Sequence, residues 1–193
     1  MPRCLVEHFA ADVPIPVREH LKNRKLAKYF NRETAAAIVC ASRLLDGCAL
    51  DRLTPFHYAM EAPQFEDYGL AELHALCCGD SGMFEPRAYI ERGVPTISPL
   101  TQFKVLYNMP LCFVAIEHGL QGDSSVHYGS ATSLFEQVAL SPHSGTTLIG
   151  AGRTHRDGAI TMGMALVDPS EVERHEATES VLDVLSSWSE KHP

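Results

Sequence analysis

A hydroxyl and an imidazole three residues apart, Ser130 and His127, are the first groups in this chain that could do covalent chemistry. A serine becomes a nucleophile only when a base takes its proton, and His118, on the helix expected to precede this segment, is the other imidazole nearby in sequence. Within a strand His127 and Gly129 share one face while Ser130 lies past the turn. The imidazole would therefore reach the hydroxyl only through the curvature of the chain. The competing reading makes Ser130 a helix N-cap and His127 a packed or interface side chain. His155-Arg156-Asp157 has the composition of a kinase catalytic triplet, yet no glycine-rich nucleotide loop or second metal-binding motif accompanies it. It is read as a polar turn. The ten histidines include no HxxxH or HExxH spacing, so no zinc site is expected. The six cysteines, Cys4, Cys40, Cys48, Cys77, Cys78 and Cys112, fit neither a CxxC metal site nor a disulfide framework. They are expected to be reduced and mostly buried, with Cys40 and Cys112 inside apolar runs. No metal and no cofactor is called for.

These groups must be held by elements that the apolar pattern outlines. Residues 1–17 carry Pro2, Pro14 and Pro16 and are expected to be extended. A short basic helix is expected from Arg18 to Tyr29, and a longer one over Arg32–Leu45 with Asn31 as its N-cap and Gly47 beyond its end. Its apolar stripe is Ala35, Ile38, Val39, Ser42 and Leu45. A short strand is expected over Thr54–Met60, a helix over Gly69–Cys78, and a further short helix near Pro86–Arg92. The longest periodic segment runs from Pro99 to Leu120, opening at Ser98-Pro99 and closing at Gly119, with Pro110 expected to kink or divide it. Strands follow at Ser124–Tyr128, Thr146–Ala151 and Ala159–Val167, with a helix from Ser130 to Leu140. An amphipathic helix over Pro169–Lys191 ends the pattern. Helices alternating with buried strands point to an α/β fold.

Length and charge set outer limits. A chain of 193 residues can bury a substantial core, and residues 1–193 are expected to form one domain, with 1–17 as an extended lead-in and 169–191 as a C-terminal helix. No run approaches the roughly 20 apolar residues of a membrane span. Glu7, His8 and Asp12 interrupt any secretory signal pattern, so the expected location is cytoplasmic. A net charge of −8 argues against nucleic acid as a partner. The charge is uneven: Arg18, Lys22, Arg24, Lys25, Lys28 and Arg32 cluster together, while Asp168 to Glu190 is acidic. The basic stretch is either a solvated helical face or a dock for an acidic partner.

The segment SPLTQFKVLYNMPLCFVAIEHGLQGDSSVHYGSAT, Ser98 to Thr132, resembles β-ketoacyl synthases of the thiolase-like superfamily. In that family a serine-proline opens a long helix, a Gly-Leu-x-Gly turn leads into a strand, and the strand ends at a nucleophile elbow. Here the turn is Gly119-Leu120-Gln121-Gly122 and the elbow is Gly129-Ser130-Ala131-Thr132. LKNRKLAKYFNRETAAAIVCASRLL is similar to the family's first long helix, and RTHRDGAITMGMALVDPSE to the strand that closes its N-terminal half. The resemblance runs in consistent order from about Val13 to Ser170. It implies an α/β fold, the N-terminal half of a thiolase-like domain, with a mixed sheet covered by helices.

The departures shape what the resemblance implies. Ketosynthases place a cysteine at the elbow, on a helix N-terminus where dipole and amide groups stabilise a thiolate and an oxyanion. That position falls on Ala131, or on Ser130 if the loop is one residue shorter. The histidines that the family draws from its C-terminal half have no counterpart up to Pro193, and the family's first strand is expected to be missing or much reduced. The resemblance then implies a non-catalytic, chain-length-factor-like accessory subunit in polyketide, aryl-polyene or fatty-acid-like biosynthesis. Its partners would be an acyl carrier protein and a second copy or a ketosynthase-like chain. In thiolase-like dimers the strand before the elbow pairs with its copy, which marks Phe103, Leu106, Tyr107, Ser125, Val126 and His127 as interface candidates. Two alternatives stay open. One is an acyltransferase or decarboxylase using Ser130 with His127; the other is a self-associating scaffold without an acyl ligand.

Overall fold

The computed structural model describes residues 3–61, 70–79, 82–96, 104, 106–128, 130–141, 145–172 and 179–191. Its strands are β1 (Arg3–Phe9), β2 (Phe56–Met60), β3 (Ser124–Tyr128), β4 (Thr147–Thr154) and β5 (Ile160–Val167). Its longer helices are α1 (Arg32–Leu44), α2 (Leu70–Cys77), α3 (Met109–His118), α4 (Ala131–Leu140) and α5 (Val181–Lys191). Contacts divide the chain into two compact units, Met1–Pro63 with Tyr107–Pro193, and Gln64–Leu106.

The first unit is built on one five-stranded sheet in the order β1-β5-β4-β2-β3. β2 runs parallel to both β3 and β4, whereas β5 is antiparallel to β4 and β1. The sheet is therefore mixed, as the ketosynthase resemblance implies. Side chains alternate across it. Phe56, Tyr58, Leu148, Met162 and Met164 enter one core under α1 and α3; Ala59, Ile149, Ala151 and Ala165 enter the other under α4 and α5. β2 is buried at every position.

α1 begins where Asn31 Oδ1 accepts the Thr34 amide at 2.8 Å, as its N-cap position predicts. Ala36 to Ala41 are fully buried without exception. This central helix owes its position to a run of small and β-branched residues that lets it sit close to the sheet. The hairpin joining β4 to β5 turns at His155-Arg156-Asp157, where Asp157 Oδ1 accepts the Ala159 amide at 3.0 Å. It is the polar turn that the sequence indicates.

Three expectations need correction. The first strand is present: Arg3–Phe9 pairs with β5 along its whole length, Arg3 opposite Leu166 and Phe9 opposite Ile160. The prolines used to read residues 1–17 as an extended lead-in lie outside the paired segment, and a ladder partner far away in sequence supplies the strand. The basic stretch forms two 3-10 segments, Val17–His20 and Arg24–Tyr29, because Asn23 accepts the Lys25 amide and restarts the chain. The segment read as one helix over Pro99–Leu120 is divided next to Pro110, one of the two outcomes expected there: Lys104 is helical, and a helix begins again at Met109. Pro110 sits in its first turn, where a missing N–H costs nothing, Tyr107 and Asn108 form a turn, and Ser98-Pro99 lies outside the described residues. The C-terminal helix is Val181–Lys191, preceded by a 3-10 turn at Pro169–Glu171 whose Asp168 side chain accepts the Ser170 amide.

In the second unit α2 is followed by Pro86–Ala88, a π-helical turn at Tyr89–Gly93 and Val94–Thr96. Gly93 packs where a Cβ would lie 2.5 Å from Cys77 Sγ and 2.9 Å from Leu73 Cδ1. The buried Cys77 is thus a packing residue of this unit.

Candidate functional site

The turn after α3 delivers β3 to the sheet, and its two glycines serve different ends. Gly119 has φ +71° and ends the helix in the left-handed conformation. Gly122 lies so close to the backbone of Leu53 that a Cβ there would overlap its carbonyl. Gln121 donates to Arg52 O at 2.7 Å and Phe56 to Asp123 O at 2.9 Å, which sets β3 alongside β2. Their parallel register places Ser125 beside His57 and His127 beside Ala59. Among the described strands, β3 is the sheet's edge.

That register assembles a hydrogen-bonded chain of three side chains. His57 Nδ1 lies 2.6 Å from Ser125 Oγ, and Ser125 Oγ lies 2.6 Å from His127 Nε2. The two rings stand nearly perpendicular with centroids 6.1 Å apart. His57 is 1% exposed and its Nε2 is buried without a hydrogen-bond partner. Burial pushes its pKa down to about 4, with the neighbouring His127 adding to the effect and Asp123 opposing it. Burial also lowers the pKa of the half-buried His127. Both rings are therefore neutral at pH 7. A buried unpaired N–H is rarer than a buried unpaired acceptor, which assigns the single proton of His57 to Nδ1. His57 then donates to Ser125 Oγ, and the Ser125 hydroxyl donates to His127 Nε2.

The structure thus brings His127 to Ser125 and not, among the described contacts, to Ser130. Ser130 occupies the N-cap position of α4 without a side-chain capping bond, and its carbonyl accepts from Ser133 Oγ at 3.2 Å. His118 Nε2 faces Ser42 Oγ at 3.5 Å, on the α1 side of the sheet. Gly129 lies outside the described residues. At the start of α4, the Ala131 side chain is fully buried, and the Ala131 amide donates to Glu179 O at 2.7 Å. The segment leading into α5 is pinned close by. Glu61 accepts from Arg153 Nε at 2.5 Å and from the Leu182 amide at 3.3 Å, and Arg153 Nη2 reaches Ser180 Oγ and Asp183 Oδ1 at 3.1 and 3.0 Å.

Of the interface candidates, Ser125, Val126 and His127 lie on the edge strand, with Val126 packed against the α1 and α3 core. Tyr107, at the start of its segment of the first unit, is 49% exposed. Leu106 belongs to the second unit and is also exposed, while Phe103 lies outside the described residues. The apolar circumference of α3 is largely used within its own unit: Met109, Leu111, Phe113 and Val114 are buried, and Phe113 meets Phe30 edge-on at 4.6 Å. Among the basic residues, Arg32 binds Ala10 O and Val13 O, and Lys22 binds Glu117 through both its amide and its ammonium, whereas Arg18, Arg24 and Lys25 are exposed. Among the described residues no group of three or more His, Cys, Asp or Glu is placed to hold a metal ion, and no helix is long and apolar enough to cross a membrane.

His57 is the site residue that sequence reasoning missed. A lone histidine inside the strand FHYAM was the available signal, but the sequence does not say which strand lies beside it.

The fold defined by this sheet and its two helical layers is an α/β fold of the thiolase-like ketosynthase type. The solved structure of the ishigamide ketosynthase/chain length factor matches with a TM-score of 0.57 and 18% identity, over 82% of this chain and 49% of that one. A type II polyketide synthase acyl carrier protein in complex with its hexaketide-bound ketosynthase matches at 0.53 and 12%, over 82% and 51%. The chain spans about half the length of these solved chains. No family model and no curated sequence matches it.

Proposed function

We propose that this chain is a ketosynthase-like accessory subunit of polyketide, aryl-polyene or fatty-acid-like biosynthesis, acting through an oligomer interface and not through condensation at its own elbow. The observation that carries the reading is the state of Ala131. The residue at the expected cysteine position has no nucleophile, is fully buried, and spends its amide on Glu179 O. An amide already donating to a carbonyl is not available to a thioester oxyanion. The fold likeness to a ketosynthase/chain length factor supports the pathway class.

The interface in this reading is the β3 edge. Among the described strands its outer side carries no partner, which invites strand addition by a second copy or by a ketosynthase-like chain, with Ser125, Val126 and His127 at the seam. The exposed Arg18, Arg24 and Lys25 suit an acidic acyl carrier protein.

The test combines condensation and association. The chain alone, given acyl- and malonyl-loaded carrier protein, is expected to form no β-ketoacyl product while an active ketosynthase run in parallel does. Sedimentation is expected to show a complex with the carrier protein or the ketosynthase. Product formation by the chain alone overturns the non-catalytic reading. Homo-oligomers with no affinity for carrier protein or acyl chains point to the scaffold instead.

A further inference from the structure

We propose that Ser125 is a base-activated nucleophile that accepts an acyl group from an activated ester or thioester, at a site separate from the elbow. Four observations support it. Ser125 Oγ sits 2.6 Å from imidazole nitrogens on both sides, which is hydrogen-bonding distance for a nucleophile and its base. His127 is half-buried and neutral, so its Nε2 can take a proton at pH 7. His57 is held rigidly inside the sheet and donates to the same oxygen, which orients the lone pairs and stabilises developing negative charge. Finally, β3 lies at the sheet's edge, and Ser125 is only partly buried there.

The step balances within these groups. Ser125 Oγ attacks the acyl carbonyl carbon while its proton passes to His127 Nε2. The bond from carbonyl carbon to the leaving sulfur or oxygen breaks, and the leaving thiolate or alkoxide takes the proton from the His127 imidazolium. Water activated by the same imidazole then hydrolyses the ester and returns the serine hydroxyl. His57 is a positioning residue throughout.

The full chain is incubated with p-nitrophenyl acetate, which needs no carrier protein, and followed by nitrophenolate release and by intact and peptide mass spectrometry. One acetyl group on Ser125 is expected, with one equivalent of nitrophenolate released as a burst. Ser125→Ala is expected to abolish it and Ser130→Ala to leave it unchanged. His127→Gln is expected to slow acylation by about 100-fold, the lower range for a general base. The rate should stay level as pH falls to the ordinary imidazole value of 6.5 and drop only below it. Ser125→Cys, which keeps the side chain's size and position, guards against a folding artefact and is expected to carry the acetyl as a thioester. Labelling that survives Ser125→Ala, disappears in Ser130→Ala or ignores His127→Gln overturns the proposal, as does an unlabelled wild-type chain. A label lost in Ser130→Ala would in addition favour the acyltransferase alternative; the other results leave the accessory role to be tested by condensation and association.

Discussion

His57 and Tyr58 are neighbours on β2 that face opposite sides of the sheet, and each makes a different polar arrangement tolerable inside it. His57 has a folded pKa of about 4 against an ordinary 6.5. The unfolded chain therefore binds a proton here before the folded one does. Its contribution is complete above pH 6.5, declines as pH falls towards 4, and changes no further below that. Thermal denaturation between pH 7 and 4 is expected to show a steep loss of stability that flattens in His57→Gln; parallel curves for the two proteins would refute the assignment. On the opposite face the Tyr58 hydroxyl donates to Glu33 Oε1 at 2.6 Å, with both residues buried. Burial and the adjacent Glu33 raise the phenol pKa well above its usual value, so it remains a donor. Gly152 leaves room for the pair, because a Cβ there would lie 2.5 Å from the phenol oxygen and 2.8 Å from Glu33 Oε1. Tyr58→Phe removes one donor from a buried carboxyl and is expected to cost about 1–3 kcal/mol in urea unfolding at unchanged m.

At the scale of elements, two joints decide how β3 and the start of α4 are held. The first is Gly122 against the Leu53 backbone, where added volume cannot be absorbed by a flexible side chain. Gly122→Ala is expected to displace β3 from β2 and lower the melting temperature by several degrees, as a loss of 1–3 kcal/mol does. Gly145→Ala, with nothing near its Cβ, is the control expected to change little. The second joint is Arg153, which ties β4 to the end of β2 and to the first turn of α5. Arg153→Met keeps much of the side-chain bulk and removes those ties. Hydrogen exchange is expected to accelerate in α5 and at the Ala131 amide while β4 and β5 stay protected. Unchanged exchange in α5 would mean that its apolar face, Val181, Leu182, Val184 and Leu185, holds it unaided.

For the whole molecule, the edge position of β3 is the feature that matters. Tyr128 ends that strand 65% exposed. Among the described strands β3 is an edge, and an edge that ends in an exposed aromatic invites association. Tyr128→Asp adds a charge at that seam without touching either core, and light scattering is expected to show a monomer where the parent associates. An associating Tyr128→Asp chain would move the interface away from β3.

Much of this was legible in the sequence because the signals are local. Asn31 caps α1, Gly119 closes α3, Pro110 marks a helix boundary and His155-Arg156-Asp157 turns a hairpin, each by its own backbone or side-chain chemistry. The strand Ser124–Tyr128 carried turn signals on both sides. Arg3–Phe9 escaped notice because a strand's ladder partner, here β5, lies far along the chain. The site was hidden for the same reason. His127 and Ser130 are close in sequence, yet an edge strand turns His127 towards Ser125 and the parallel register adds His57 from β2. Residue types and spacing determined which helices and strands form, and the two-residue alternation of β3 by itself puts Ser125 and His127 on one face; strand order and register alone decided that His57 joins them, because that contact crosses from one strand to the next.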